Sequence, residues 1–324
     1  MISVAKRRLQ IISGRVHPEL ATEIAKLLEV PLHTVELSNF ANGEISCALG
    51  ESVRDSDLFI IQTHGGNVNE AIMEQAIMID AAKRASARSI TAVCPFFGYA
   101  RQDRKSRDRE PITSRLVVDI LAQAGATRIM SVDLHAGQIQ GFFNGPFDHL
   151  IARTILCEYV QKNFKPDNLV IVSPDAGRVK TAERYGSSLG CEIAIIHKHR
   201  SVLKHNTVEA KYLIGDVKGK TCLVIDDMID TAGTICAAAD LLAEHGAKEI
   251  FGLATHGLLS DPALERIEQS AFKKVIVTDT LPVAVAAQSS KVEVLPVAPL
   301  LANAISAVFA GGSVSALFNG ENQV

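Results

Sequence analysis

Two adjacent carboxylates, Asp226 and Asp227, and the run Asp230-Thr231-Ala232-Gly233-Thr234 just after them carry the clearest chemistry in this chain. An apolar run, residues 222–225, leads into the acids. Ile235, Ala238, Ala239 and Leu242 follow the run at helical spacing. The pattern predicts a buried strand, a tight loop and a helix. A helix start presents unpaired N–H groups and partial positive charge, so small and hydroxyl residues there can cradle a phosphate. Vicinal acids can accept hydrogen bonds from sugar hydroxyls or hold a hydrated Mg²⁺. One Asp or Thr at such a place can simply cap a helix, but a doubled acid followed by D-T-x-G-T exceeds what a cap needs. A ribose 5-phosphate group has the matching diol and phosphate. The other nucleotide motifs fit less well. Gly215 and Gly219-Lys220-Thr221 are one residue short of a P-loop, and no G-x-G-x-x-G occurs.

Five further clusters can do chemistry. Phe40-Ala41-Asn42-Gly43-Glu44 pairs an aromatic able to stack with amide and acid groups able to read a base; taken alone it is a hairpin turn. Residues 95–105 lead from aromatics into Arg101-Gln102-Asp103-Arg104-Lys105, where Arg can grip phosphates with forked hydrogen bonds or simply sit in a solvated loop. Asp133-Leu134-His135 and Ser173-Pro174-Asp175 each follow an apolar run and place metal-capable groups there. Asp175 suits a hard ion better than His135 does. His197-Lys198-His199-Arg200 opens a basic segment that in isolation reads as a solvated loop.

These groups need a frame, and the chain supplies alternating elements. Strands are predicted over 9–12, 58–61, 90–93, 129–132, 169–172, 192–196, 250–254, 275–277 and 292–295. Helices are predicted around 72–77, 116–121 and 300–308. Such alternation implies mostly parallel sheets with helices on both faces, and ligands at the carboxyl ends of the strands. With 324 residues and 47% apolar content there is material for two domains. A net charge of −3 implies no general attraction to nucleic acid or anionic membranes. The absence of Trp and 5% aromatics argue against a base-stacking platform. Six scattered cysteines without C-x-x-C read as reduced residues of a cytoplasmic protein. The apolar run after Lys6-Arg7-Arg8 stops at Ser13-Gly14, too short for a signal peptide, and no run reaches membrane-spanning length.

On these motifs the chain resembles the ribose-phosphate pyrophosphokinase family over nearly its whole length. The resemblance implies an α/β fold of two phosphoribosyltransferase-like domains, each a mostly parallel sheet flanked by helices. Their expected bounds are 1–150 and 151–310, with 311–324 packing back near the first. It implies transfer of the pyrophosphoryl group of MgATP to the C1 hydroxyl of ribose 5-phosphate, giving phosphoribosyl pyrophosphate and AMP. Phe40, Asn42, Gly43, Glu44, Arg101 and Gln102 then map to ATP. Arg200, Asp226, Asp227 and residues Asp230, Thr231, Ala232, Gly233 and Thr234 map to ribose 5-phosphate. Lys198 and Arg200 map to the cationic catalytic positions of a loop that closes over the substrates. His135 and Asp175, with Asp133 beside them, map to Mg²⁺. Asn144 stands where many relatives carry an acid, some of them as a further metal contact, so a metal role there stays open. Arg54, Arg109, Ser313, Val314 and Ser315 match regulatory phosphate-binding places, with ADP and phosphate as regulators. The expected assembly is a homo-oligomer, a hexamer. Two rivals share the opening motif: a phosphoribosyltransferase that consumes the product, and a non-catalytic regulatory homologue.

Overall fold

The computed structural model describes residues 7–199, 210–282 and 284–318. The chain divides into two compact units, formed by the described residues of Met1–Ala152, Thr280–Pro282 and Pro296–Val324, and of Arg153–Asp279 and Val283–Leu295.

The first unit contains β1 (Arg8–Ser13), α1 (Pro18–Leu27), β2 (Leu32–His33), β3 (Val35–Asn39), β4 (Ile45–Leu49), β5 (Ser56–Ile61), α2 (Val68–Arg84), β6 (Ser89–Cys94), α3 (Thr113–Ala124), β7 (Arg128–Val132) and β8 (Phe147–Leu150). Its sheet runs β2-β1-β5-β6-β7-β8 with every pairing parallel. Parallel strands covered on both faces need continuous apolar runs, and β5 is buried at all six positions. The pair β3-β4 stands apart as an antiparallel hairpin. The 40–44 cluster is therefore the hairpin's turn and not the end of a sheet strand.

The second unit contains α4 (Arg153–Asn163), β9 (Leu169–Ser173), α5 (Val179–Leu189), β10 (Glu192–His199), β11 (Ala210–Ile214), β12 (Thr221–Ile229), α6 (Gly233–Glu244), β13 (Glu249–Gly257), α7 (Ala263–Gln269), β14 (Lys274–Thr278) and β15 (Val292–Leu295). Its sheet order is β11-β10-β9-β12-β13-β14-β15, parallel except for the edge pair β10-β11. The strand order reverses between β9 and β12, the place where open α/β sheets hold ligands. Register sharpens that place. Ser173, the last residue of β9, pairs with Ile195, and Val172 pairs with Val224. Both neighbours run on past it, which leaves a notch at the carboxyl edge of the sheet.

One expected boundary falls elsewhere. The last helix, α8 (Ala298–Ala310), belongs to the first unit, so the chain returns at Pro296 and not at residue 311. Packing explains this. The apolar α8 lies against α1 and β8, and the Arg7 guanidinium sits 5.2 Å over the Phe309 ring. The helix stops at Gly311, whose φ of 73° is the left-handed conformation that favours glycine there. Ahead of it, Thr280 also belongs to this unit and accepts a hydrogen bond from the Thr63 hydroxyl at 2.7 Å.

Candidate active site

The second unit holds its chemistry around the notch. Asp175 closes the turn after β9: its Oδ1 accepts from Gly177 N at 2.8 Å and Arg178 N at 3.1 Å. Its Oδ2 takes no hydrogen bond from the described residues. The turn aims Arg178 across the notch, with Nε 3.2 Å from Asp226 Oδ1 and Nη2 2.5 Å from Asp227 Oδ1. The two acids do not follow the strand, as the apolar run suggested. They lie on it, because β12 continues to Ile229 and Asp226 pairs with Ala254. Each acid also takes the next backbone amide, at 2.9 Å in both cases. Burial and the neighbouring Asp227 charge push the Asp226 carboxyl well above the usual carboxylate range, while Arg178 opposes that rise. Such a pair favours a ligand that brings hydroxyl donors or a cation. Arg178 escaped the sequence reading; its only signal was its place three residues after Asp175.

Residues 230–234 form a tight turn into a helix start, the local geometry their types predict. Ala232 adopts the left-handed conformation, φ 59°, ψ 2°, and its methyl is buried in the core. α6 starts at Gly233, and Cys236 N donates to Ala232 O at 3.0 Å as the first helical bond. The amides of Ala232, Gly233 and Thr234 donate to no described residue, as expected at a helix start. Thr231, Gly233 and Thr234 are exposed. Lys198 lies on β10, opposite Lys211 of β11. It is three residues beyond the level of Ser173, roughly 10 Å further along. Arg200 lies outside the described residues.

In the first unit, the 40–44 turn is closed by Phe40 N to Glu44 O and Gly43 N to Phe40 O, both 2.8 Å. It leaves the Phe40 ring 59% exposed, free to stack. Asn42 Oδ1 accepts from Glu44 N, so Asn42 helps shape the turn. The hairpin root is tied down through Asn39: Arg15 Nη1 donates to its Oδ1 at 2.7 Å, and Arg15 Nε bonds the buried Glu74 at 2.5 Å.

The segment after β6 is held from behind. Gly98 N donates to His64 Nδ1 at 3.0 Å, which leaves His64 Nε2 as the donor to Gln75 Oε1 at 2.9 Å. Gln75 in turn donates to the carbonyls of Ile60 and Val93. Complete burial pulls His64 down to about 4, so it stays neutral and keeps this tautomer. Gln102 is anchored at the start of α3, where its Oε1 accepts from the Thr113 hydroxyl and its carbonyl from Ser114. Its NH₂ donates to no described residue. Arg101 is exposed.

After β7, Asp133 Oδ2 accepts from Ala152 N at 3.1 Å, which commits one oxygen of this candidate ligand to the fold. His135 is half-buried two residues on. Among the described residues no three His, Cys, Asp or Glu side chains converge as a metal cage. The expected regulatory residues all lie in the first unit. Arg54 follows Val53 on the surface and its carbonyl accepts from Arg8, Arg109 is an exposed residue with φ 66°, and Ser313, Val314 and Ser315 follow the end of α8.

The sequence matches the N-terminal domain of ribose phosphate pyrophosphokinase over residues 9–125 and the phosphoribosyl synthetase-associated domain over residues 202–319. A ribose-phosphate pyrophosphokinase of Streptomyces avermitilis is 50% identical over 317 residues, 98% of this chain and 98% of that protein. One from Corynebacterium efficiens is 51% identical over 316 residues, 97% of each. The crystal structure of phosphoribosylpyrophosphate synthetase from Mycobacterium smegmatis matches with a TM-score of 0.89 at 51% identity, covering 94% of this chain and 100% of that one. Sharing half its residues and its fold with these enzymes along nearly the whole length, this chain belongs to the ribose-phosphate pyrophosphokinase family.

Proposed function

We propose that the chain moves the pyrophosphoryl group of ATP to ribose 5-phosphate, and that the second-unit crevice is the acceptor half of that reaction. The observation that carries this reading is the pairing of Asp226 and Asp227 by Arg178 directly ahead of the open amides of residues 232–234. The acids accept the 2- and 3-hydroxyls of the ribose. The amides and the Thr231 and Thr234 hydroxyls take the 5-phosphate. Held at both ends, the sugar presents its C1 hydroxyl in one orientation, which lowers the barrier by proximity. That oxygen attacks the β-phosphorus, the bond to the α–β bridging oxygen breaks, AMP leaves, and the hydroxyl proton passes to solvent or phosphate. Lys198 and Arg200 supply positive charge to the transferring group and to AMP. In the first unit, Phe40 stacks on the adenine, Asn42, Gly43 and Glu44 border it, and Arg101 with the free NH₂ of Gln102 binds the phosphates.

The donor set suits a divalent ion that keeps much of its water. In the second unit Asp175 offers one hard oxygen, and water and phosphates can complete a shell as Mg²⁺ prefers. His135, in the first unit, is assigned to Mg²⁺ on the family resemblance. When bound, Mg²⁺ offsets the triphosphate charge. Exposed apolar side chains on α2 and α3, Met73, Ile112 ahead of α3 and Leu116, favour a homo-oligomer, which we take as a hexamer. Arg54, Arg109 and Ser313 to Ser315 are the places we assign to ADP and phosphate as regulators. No described helix is long and apolar enough to cross a membrane, and the six cysteines are free. Free thiols suit the reducing cytoplasm, where we place the reaction.

Purified protein with MgATP and ribose 5-phosphate should form AMP and phosphoribosyl pyrophosphate in equal amounts. Absence of AMP would refute the reading. A phosphoribosyltransferase would instead consume phosphoribosyl pyrophosphate when given a base. Sedimentation with and without phosphate reads the assembly.

A further inference from the structure

Arg266 projects from α7 to the back of the phosphate loop. Its Nη1 donates to Thr231 O at 2.8 Å. A Cβ built on Gly233 would lie 3.3 Å from the same Nη1 and 3.9 Å from the guanidinium carbon, so the charge rests against the first residue of α6. Two consequences follow from elementary geometry and charge.

The peptide joining Thr231 to Ala232 is trans, so its carbonyl and its N–H point in opposite directions. Holding the Thr231 carbonyl back toward Arg266 turns the Ala232 N–H forward, away from the guanidinium. The buried Ala232 methyl fixes the other side of that peptide. Ala232 is in a conformation that a non-glycine residue resists, so the loop needs such restraints.

A cation at a helix N-terminus also repels the positive end of the helix dipole. No described carboxylate forms an ion pair with Arg266. A dianion bound at residues 232–234 would remove this conflict, because both the helix end and the guanidinium then face opposite charge.

We propose that Arg266 is a positioning residue of the phosphate loop: it turns the Ala232 amide toward the ligand and supplies a rear positive charge for a phosphomonoester dianion. This rests on reading residues 230–234 as the ribose 5-phosphate cradle. Arg266 acts through the loop and takes no part in the transfer itself.

The test compares Arg266→Met and Arg266→Lys with the wild type. Methionine keeps the packing of the stem but removes the charge and the fork. The KM for ribose 5-phosphate should rise roughly tenfold in Arg266→Met, the scale of a lost charged hydrogen bond, while the KM for ATP and the Tm stay close to wild type. Arg266→Lys keeps the charge and should recover most of the loss. Calorimetric titration with ribose 5-phosphate should show the same order of affinities. An unchanged ribose 5-phosphate KM in Arg266→Met would overturn the proposal. So would equal rises in both KM values with a lowered Tm, which would mark a purely structural residue. Absence of AMP formation by the wild type would defeat the proposed reaction instead, and the calorimetric comparison would still decide the role of Arg266.

Discussion

His64 offers a quantitative test of how the proposed ATP segment is held. Its Nδ1 accepts the Gly98 amide and its Nε2 donates to Gln75, and the ring is completely buried. In His64→Leu the Gly98 N–H loses its acceptor inside the core, a cost of about 2 kcal/mol at pH 7.5. His64→Gln can keep both contacts, with Oε1 accepting and Nε2 donating. The pH dependence separates the two effects. The folded value of about 4 lies below the ordinary 6.5, so between these the unfolded chain binds a proton that the folded one does not. Stability from this group is therefore present above 6.5 and lost as pH falls, by about 1.4 kcal/mol between pH 7.5 and 5.5 and about 3 kcal/mol in all. Urea unfolding at fixed protein concentration should show wild type falling by that amount at pH 5.5 beyond any fall in His64→Gln. His64→Leu should start about 2 kcal/mol lower and share the flatter slope. Because Gly98 leads into Tyr99-Ala100-Arg101, the KM for ATP should rise roughly tenfold in His64→Leu and less than about threefold in His64→Gln. Wild-type urea resistance in His64→Leu at pH 7.5, or an unchanged pH slope in His64→Gln, would refute the reasoning.

The acid pair makes a second pH prediction. Asp226 is pushed up by burial and by Asp227, and on the proposed reading its ionised form is the one that accepts both sugar hydroxyls. The KM for ribose 5-phosphate should fall as pH rises through the neutral range, and Asp226→Asn should flatten that profile. Arg178→Met removes the opposing charge, so it should displace the fall to higher pH; a profile unmoved by Arg178→Met would count against the bridge. Lys198→Ala should lower kcat by about 10² or more with a much smaller change in either KM, as measured by AMP release. Asp57 is buried and accepts from Arg7 and Ser89 and pairs with Arg88. Burial opposes its ionisation, yet these donors together hold it below its ordinary value. Stability from Asp57 is thus present above the usual carboxylate range and lost as pH falls through the lowered folded value. Asp57→Asn should cost about 1.5 kcal/mol at pH 7, and urea unfolding should show the gap closing in acid.

Most of the frame was legible because burial on both faces demands runs such as Leu169-Val170-Ile171-Val172, which no solvated segment would carry. What escaped depended on partners distant in sequence. The strand β12 runs through two acids because Arg178 and the following amides satisfy them, and a hydropathy pattern contains no trace of that. Asn42-Gly43 signalled its hairpin plainly, but the tie from Asn39 through Arg15 to Glu74 joins segments up to 59 residues apart. α8 was legible as a helix, while its place beside α1 was set by the apolar face that α1 offers and not by any linker signal. The turn from β12 into α6 was legible as strand, loop and helix start, but its hold on Arg266, 35 residues on, was not.

The two sheets show why a shared topology does not give shared chemistry. In each, the first strand sits beside a later strand at the point where the order reverses: β1 beside β5, and β9 beside β12. In the first unit that crevice is filled. Gln62 lies under Gly14, where any Cβ would come within 2.3 Å of its side-chain oxygen. Gln62 also donates to the buried Glu74, which holds Arg15. In the second unit the corresponding crevice carries Asp175, Arg178 and the acid pair, and the strand leads into open amides. Removing the filler would therefore not create a second ribose phosphate site. Gln62→Ala would leave Glu74 without one donor, and β5 would still end without a Thr-Ala-Gly-Thr turn at a helix start. The expected result is lower stability of the first unit with no second binding event for ribose 5-phosphate by calorimetry. A second site appearing in Gln62→Ala would mean that topology alone, and not the loop after β12, makes the cradle.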